Sequence, residues 1–190
     1  MTARPAPQAR IARGPSLRAR AARIRLLVLD VDGVLTDGLI RFEPGGGETK
    51  TFHVRDGHGL VVAQRAGIGV ALVSGRTSRA VDLRAKELGI RDVHQGCREK
   101  AGTLARIRRK WKAGPEEVAV MGDDLVDLPL FREAGLALAV SDAPVEVRTR
   151  ADWVSRSPGG RGAVREAVEM LLKARGSWEA IVRSEAEGKR

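Results

Sequence analysis

The chain has 190 residues, 43% of them apolar, which is enough for one domain with a real core and too few for two large ones. No apolar run approaches the ~20 residues of a membrane-spanning helix, and the single cysteine, Cys97, excludes an intrachain disulfide and suits a reducing cytoplasm. The formal net charge of +10 points toward nucleic acid, but seven arginines and no acid lie in residues 1–25, and an aromatic content of 3% leaves few rings for base stacking.

In chain order, residues 1–23, rich in Ala, Arg and Pro, are expected to form a disordered basic tail. They lack the compact apolar stretch of a secretory signal, and a solvated tail is favoured over an arginine-rich transit peptide. IRLLVLD (24–30) is a continuous apolar run and predicts a buried strand. GLIRF and ETKTFHV flank the glycines at 45–47, the pattern of a β-hairpin. GHGLVVAQRAG (57–67) predicts a helix closed by Gly67, IGVALVS (68–74) a second buried strand, and SRAVDLRAKELG (78–89) a helix closed by Gly89. A short strand in RDVHQG and an amphipathic helix in EKAGTLARIRRKWK (99–112) follow. EEVAVMGDD reads as a strand ending in acids and LVDLPLFREAG as a short helix. LALAVSD and DWVS read as strands, and GAVREAVEMLLKAR as the last helix of a domain spanning 24–175, with a C-terminal tail over 176–190.

Strands alternating with helices at this spacing predict an α/β fold: a doubly wound, Rossmann-like parallel sheet with helices on both faces and a protruding hairpin. In such sheets ligands bind beyond the carboxyl ends of the strands. There the chain places Asp30 and Asp32, Ser74-Gly75-Arg76, the segment Gln95 to Lys100, and Gly122-Asp123-Asp124. Asp30 and Asp123 offer hard oxygen ligands suited to Mg²⁺. Ser74, Gly75 and Lys100 supply what a phosphate needs: a hydroxyl, backbone donors and a cation. One acid beside a metal-bound phosphate can attack phosphorus, and a second, two residues later, can protonate the leaving oxygen and then activate water.

The motifs DVDGVLTDG (30–38), VSGR (73–76), Lys100 and GDDLVD (122–127), in this order, resemble the four signature motifs of the haloacid dehalogenase superfamily of phosphohydrolases. The resemblance implies Asp30 as nucleophile and Asp32 as general acid/base. It also implies Mg²⁺ held by Asp30, Asp123 and the Asp32 backbone carbonyl. Ser74 and Gly75 would bind the phosphoryl group, Lys100 would neutralise charge, and Asp127 would orient Lys100 or the metal waters. Only 35 residues lie between Asp37 and Val73, and fewer separate Lys100 from Asp123, so neither gap has room for a cap domain.

FHVRDGHG (52–59) and ADWVSRSPGGRGAVRE (151–166) narrow the resemblance to the 3-deoxy-D-manno-octulosonate 8-phosphate phosphatase family, cap-less homotetramers acting in bacterial lipopolysaccharide precursor synthesis. It implies hairpins packed in a central barrel between subunits. It further implies flexible glycines in PGGRG (158–162) carrying Arg161 to a neighbour's active site, and Arg55 and Asp56 in a loop facing the substrate entrance. His53 and His58 depart from the residues common in that family, which leaves open a nonulosonate 9-phosphate as substrate. A basic nucleic-acid-binding protein is the rival of another class.

Local readings compete with these roles. Asp37 and Asp124 suit Asx turns or helix caps equally well. Ser74 could cap the following segment, Asp127 could stabilise the start of its own helix, and Arg76 is either a substrate contact or a solvated arginine.

Overall fold

The computed structural model describes residues 15–188. The chain enters through α1 (Leu17–Ala22) and runs into β1 (Leu26–Leu29), four apolar residues that are all buried. A strand buried on both faces needs a neighbour on each edge and a helix layer on each side. The elements that follow supply both. A hairpin of β2 (Arg41–Phe42) and β3 (Glu48–Thr49) precedes α2 (Val54–Arg65), β4 (Gly69–Val73), α3 (Arg79–Glu87) and β5 (Asp92–His94). Then come α4 (Lys100–Trp111), β6 (Val118–Gly122), a 3₁₀ turn at Leu125–Asp127, α5 (Leu128–Glu133) and β7 (Leu136–Ala139). The chain ends with α6 (Val145–Arg148), β8 (Trp153–Val154), α7 (Ala163–Ala174) and α8 (Trp178–Ala186).

The six-stranded sheet has the order β5-β4-β1-β6-β7-β8 with every pair parallel. From β1 the chain steps one way to β4 and β5, then crosses back to β6, β7 and β8. This reversal lies between β1 and β6, and it opens a crevice beyond their carboxyl ends. Right-handed crossovers place helices made on the outward and return journeys on opposite faces. Accordingly α1, α2 and α7 pack together, and α4 packs on α5. Burying each large aliphatic side chain of β1 contributes roughly 1.5–3 kcal/mol.

The predicted parallel α/β architecture is observed, and the segment between β1 and α2 holds the hairpin and no cap domain. The predicted limits of the domain change at both ends. Residues 17–22, expected within a disordered tail, form α1, whose Ala21 is buried. Arg20 holds that helix down with both carboxylate oxygens of Asp152, at 2.7 and 2.6 Å, and with the Gly135 carbonyl. Residues 1–14 of the expected basic tail lie outside the described residues. Beyond 175, Trp178 and Ile181 of α8 pack against the core, so the expected C-terminal tail begins as part of the domain. Among the described residues no helix is long and apolar enough to cross a membrane.

Candidate active site

Asp30 is the first residue after β1, and its N–H donates to the Met121 carbonyl of β6 at 3.0 Å, which ties it to the sheet reversal. The chain must then leave the sheet within three residues. Gly33 does this at φ +90°, and a Cβ there would sit 2.0 Å from Asp123 Oδ2, so only glycine lets the turn pass beside that carboxylate. The Thr36 hydroxyl accepts from the Gly33 and Gly38 N–H groups, both at 3.3 Å, and closes the turn. Ser74 follows β4; its buried hydroxyl accepts from the Arg76 N–H at 3.1 Å and lies 3.5 Å from Asp32 Oδ2.

Lys100, the first residue of α4, is buried with Nζ 3.1 Å from Asp30 Oδ1 and 2.7 Å from Asp127 Oδ1. The second Asp127 oxygen accepts from the Asp123 and Asp124 N–H groups at 3.0 and 3.4 Å. Asp127 therefore holds both the lysine and the loop after β6, one of the two roles expected for it. Asp30, Asp32, Ser74, Gly75, Lys100 and Asp123 all line one cleft of about 510 Å³. A comparable cleft of about 570 Å³ beside α1 and α7 contains none of them.

The charge in this cleft is unbalanced. Asp30, Asp123 and Asp127 bring carboxylate oxygens within 4.8 Å of one another and face one ammonium. Burial, then repulsion from Asp127, pushes the Asp30 pKa to about 6, although Lys100 works against the rise. Burial, with repulsion from Asp30 and Asp127, pushes Asp123 to about 8. Burial alone would lower Lys100, but Asp30 and Asp127 hold it above the ordinary lysine value. Asp123 Oδ1 is buried without a hydrogen-bond partner among the described residues. An orphaned carboxylate oxygen in an all-oxygen cluster fits a hard divalent cation such as Mg²⁺. Asp30, Asp123 and the Asp32 backbone carbonyl would hold it, since both Asp127 oxygens already have donors.

Of the remaining predicted residues, Asp124 and Arg76 also line the cleft, and the others fall elsewhere. Asp124 accepts from the Leu125 N–H at 2.7 Å and Asp37 from the Leu39 N–H at 3.2 Å, so both serve local caps and turns. Arg76 lies on the cleft wall with its guanidinium on Glu48 Oε2 at 2.5 Å. Arg55 is exposed and absent from the cleft wall. Asp56, expected at the substrate entrance, is only 1% exposed; it accepts from the Gly162 and Arg165 N–H groups at 3.1 and 2.7 Å and anchors the start of α7. Burial raises its pKa against those two hydrogen bonds.

PGGRG (158–162) packs on the turn that follows β1. The Gly160 N–H donates to the Val34 carbonyl at 2.9 Å and the Gly159 N–H to Asp142 Oδ1 at 3.0 Å. A Cβ at Gly159 would meet the Gly33 carbonyl oxygen at 1.7 Å, so glycine here permits close packing on the turn after Asp30. Arg161 is exposed and near enough to Asp37 to join Arg41 in holding that carboxyl below its usual range, Arg41 contributing most.

Two residues were missed. Lys50, just past β3, has a side chain only 2% exposed, with its ammonium on Asp32 Oδ1 and 2.7 Å from Glu48 Oε1. Glu48 and Lys50 stand two apart and so face the same way along the strand. That spacing was legible, but the fold-back of the hairpin onto the sheet edge was not.

A haloacid dehalogenase-like hydrolase family model matches residues 92–167. The 3-deoxy-D-manno-octulosonate 8-phosphate phosphatase KdsC of Escherichia coli K12 is 46% identical over 161 residues, covering 85% of this chain and 86% of that protein. The crystal structure of the corresponding phosphatase from Moraxella catarrhalis, in complex with magnesium ion, phosphate ion and KDO, superposes with a TM-score of 0.86 at 40% identity, covering 88% of this chain and 96% of that one. The cobalt-bound form of the Haemophilus influenzae phosphatase gives 0.82 at 40% identity, over 84% and 93% of the two chains. With identity of this order along nearly the whole fold, the chain belongs to the 3-deoxy-D-manno-octulosonate 8-phosphate phosphatase family of haloacid dehalogenase-like hydrolases.

Proposed function

We propose that the protein hydrolyses 3-deoxy-D-manno-octulosonate 8-phosphate to the free sugar acid and inorganic phosphate, a step of lipopolysaccharide precursor synthesis in the cytoplasm. The observation that carries this reading is the convergence of Asp30, Asp32, Ser74, Lys100 and Asp123 on one cleft at the sheet reversal. The Asp30 carboxylate attacks phosphorus, forming an aspartyl-phosphate as the bond from phosphorus to the sugar oxygen breaks. Asp32 gives its proton to that departing oxygen, then takes one from the water that hydrolyses the aspartyl-phosphate and restores Asp30. The Ser74 hydroxyl and Gly75 N–H receive phosphoryl oxygens, and Lys100 keeps Asp30 ionised and aimed. Mg²⁺, when bound, neutralises the carboxylates and the phosphoryl oxygens together.

The cleft has no cap of its own, and water exclusion falls to a second subunit. Leu39, Ile40, Phe42 and Val54, on and beside the hairpin, are 46–78% exposed, which suits hairpins meeting at the centre of a homotetramer. Sedimentation should show a tetramer that Phe42→Asp dissociates, and a wild-type monomer at micromolar concentration would overturn that assembly. The activity test is phosphate release with Mg²⁺ from the eight-carbon substrate, a nonulosonate 9-phosphate and an aryl phosphate. Preference for the first supports the assignment, turnover of only the others replaces the sugar, and no turnover of any ends it.

A further inference from the structure

Lys50 belongs to an exposed hairpin, where Ile40 and Phe42 are 46% and 74% exposed, yet its own side chain is almost wholly covered. An ammonium is buried at high cost unless carboxylates surround it. Here one lies on each side: Asp32 Oδ1 in a short contact and Glu48 Oε1 at 2.7 Å, with Arg76 on the other Glu48 oxygen at 2.5 Å. Cation and carboxylate thus alternate from the cleft rim to Asp32. Burial acts to neutralise Lys50, but Asp32 and Glu48 outweigh it and hold the pKa above the ordinary lysine value. The only other side chain in hydrogen-bond range of Asp32 among the described residues is Ser74, at 3.5 Å, a weak contact at best.

Resting on the reading of Asp32 as general acid/base, we propose that Lys50 is the positioning residue of the Asp32 carboxylate, and that Glu48 and Arg76 hold Lys50 in place for that task. A free aspartate at the end of a turn samples several rotamers, and a misplaced proton donor forfeits most of its value. With Oδ1 tied to Lys50, Oδ2 is the oxygen left to serve the leaving group. Proton transfer then runs from Asp32 to the sugar oxygen in the first half-reaction and from water to Asp32 in the second. The hairpin becomes part of the chemical site as well as an interface.

The test exploits leaving groups. kcat/KM reports only the steps through phosphoryl transfer to Asp30. A sugar alkoxide needs a proton at that stage, and a nitrophenolate does not. Lys50→Met is expected to lower kcat/KM about 10²-fold on the sugar phosphate and less than about threefold on p-nitrophenyl phosphate. Asp32→Asn should show the same split, larger, and adding Lys50→Met to it should cost less than about threefold more. Melting temperature and Mg²⁺-dependent stabilisation are measured on each variant. Glu48→Gln, which keeps the lysine, should give a smaller split and serves in place of Lys50→Met if that variant does not fold. Equal losses on both substrates, or full multiplicativity with Asp32→Asn, overturn the role of Lys50. A split in Asp32→Asn without one in the Lys50 or Glu48 variants overturns Lys50 alone. No split in Asp32→Asn overturns the reading of Asp32 itself, and Lys50 with it.

Discussion

Asp92 and Asp30 are buried to nearly the same degree, 4% and 6% exposed, at opposite ends of neighbouring regions of the sheet, and they behave in opposite ways. Asp92, at the start of β5, receives Lys110 at 2.8 Å, the Trp111 indole N–H at 2.5 Å and the His94 ring at 3.2 Å. Burial works against its charge, yet these partners outweigh it and hold the carboxyl below its usual range. Asp30, at the end of β1, shares one lysine with Asp127, and its neighbour Asp123 keeps an oxygen with no donor among the described residues. There burial wins, and both carboxyls rise. A buried carboxylate with enough donors stabilises the fold. One left short of donors leaves charge that a bound cation would balance.

The largest effect that sharpens this contrast is Asp30→Asn. It should abolish phosphate release, by about 10⁴-fold or more, while the metal-free protein melts no lower than wild type at pH 8, because a repelled buried charge has gone. A comparable loss of melting temperature and of activity would mean that Asp30 supports the fold as Asp92 does.

Asp92→Ala should behave in the reverse way. Removing the acceptor leaves the Trp111 N–H without its partner and should cost about 1–3 kcal/mol in denaturant unfolding. Turnover per folded molecule should stay within about twofold of wild type, because Asp92 does not line the cleft. Lost activity without lost stability would break the comparison at its structural end.

The smallest effect separates the two regions by pH. From about pH 4 to pH 8, metal-free folded protein retains protons on Asp30 and Asp123 that the unfolded chain has released, so their contribution to stability falls as pH rises. Asp92 has the other sign: its contribution is present above the ordinary aspartate pKa and is lost only as stronger acid protonates the folded state. A divalent cation displaces the protons of the strand-end cluster. Mg²⁺ should therefore raise the melting temperature more at pH 8 than at pH 5.5, by a difference of about 4 °C or more. An equal shift at both pH values would remove the cation from this cluster.

The order of strands and helices, the parallel sheet and the strand-end acids were legible because burial on two faces writes a continuous apolar run, as in LLVL of β1, and the residues that end such runs lie on one edge. Lys100 and Asp123 were legible for the same reason. Pairings between distant segments left no local mark. Arg20 finds Asp152 across 132 residues, Asp56 finds the start of α7 across 106, and each looked like a solvated or substrate-facing charge until its partner was placed. PGGRG reads as flexible, and only contact with Gly33 and Thr36 reveals glycines chosen for close approach.

By itself, then, the order of residues determined which side chains could perform phosphoryl chemistry, since strand periodicity and chain order place them at the sheet reversal. Only the tertiary structure decided which charges are satisfied and which are not: Asp92 against Asp123, Asp56 as an anchor, and Lys50 brought from the hairpin onto Asp32. The physical reason is that a charge's energy depends on how many donors and how much water surround it. Those neighbours come from segments whose separation along the chain says nothing about their separation in space.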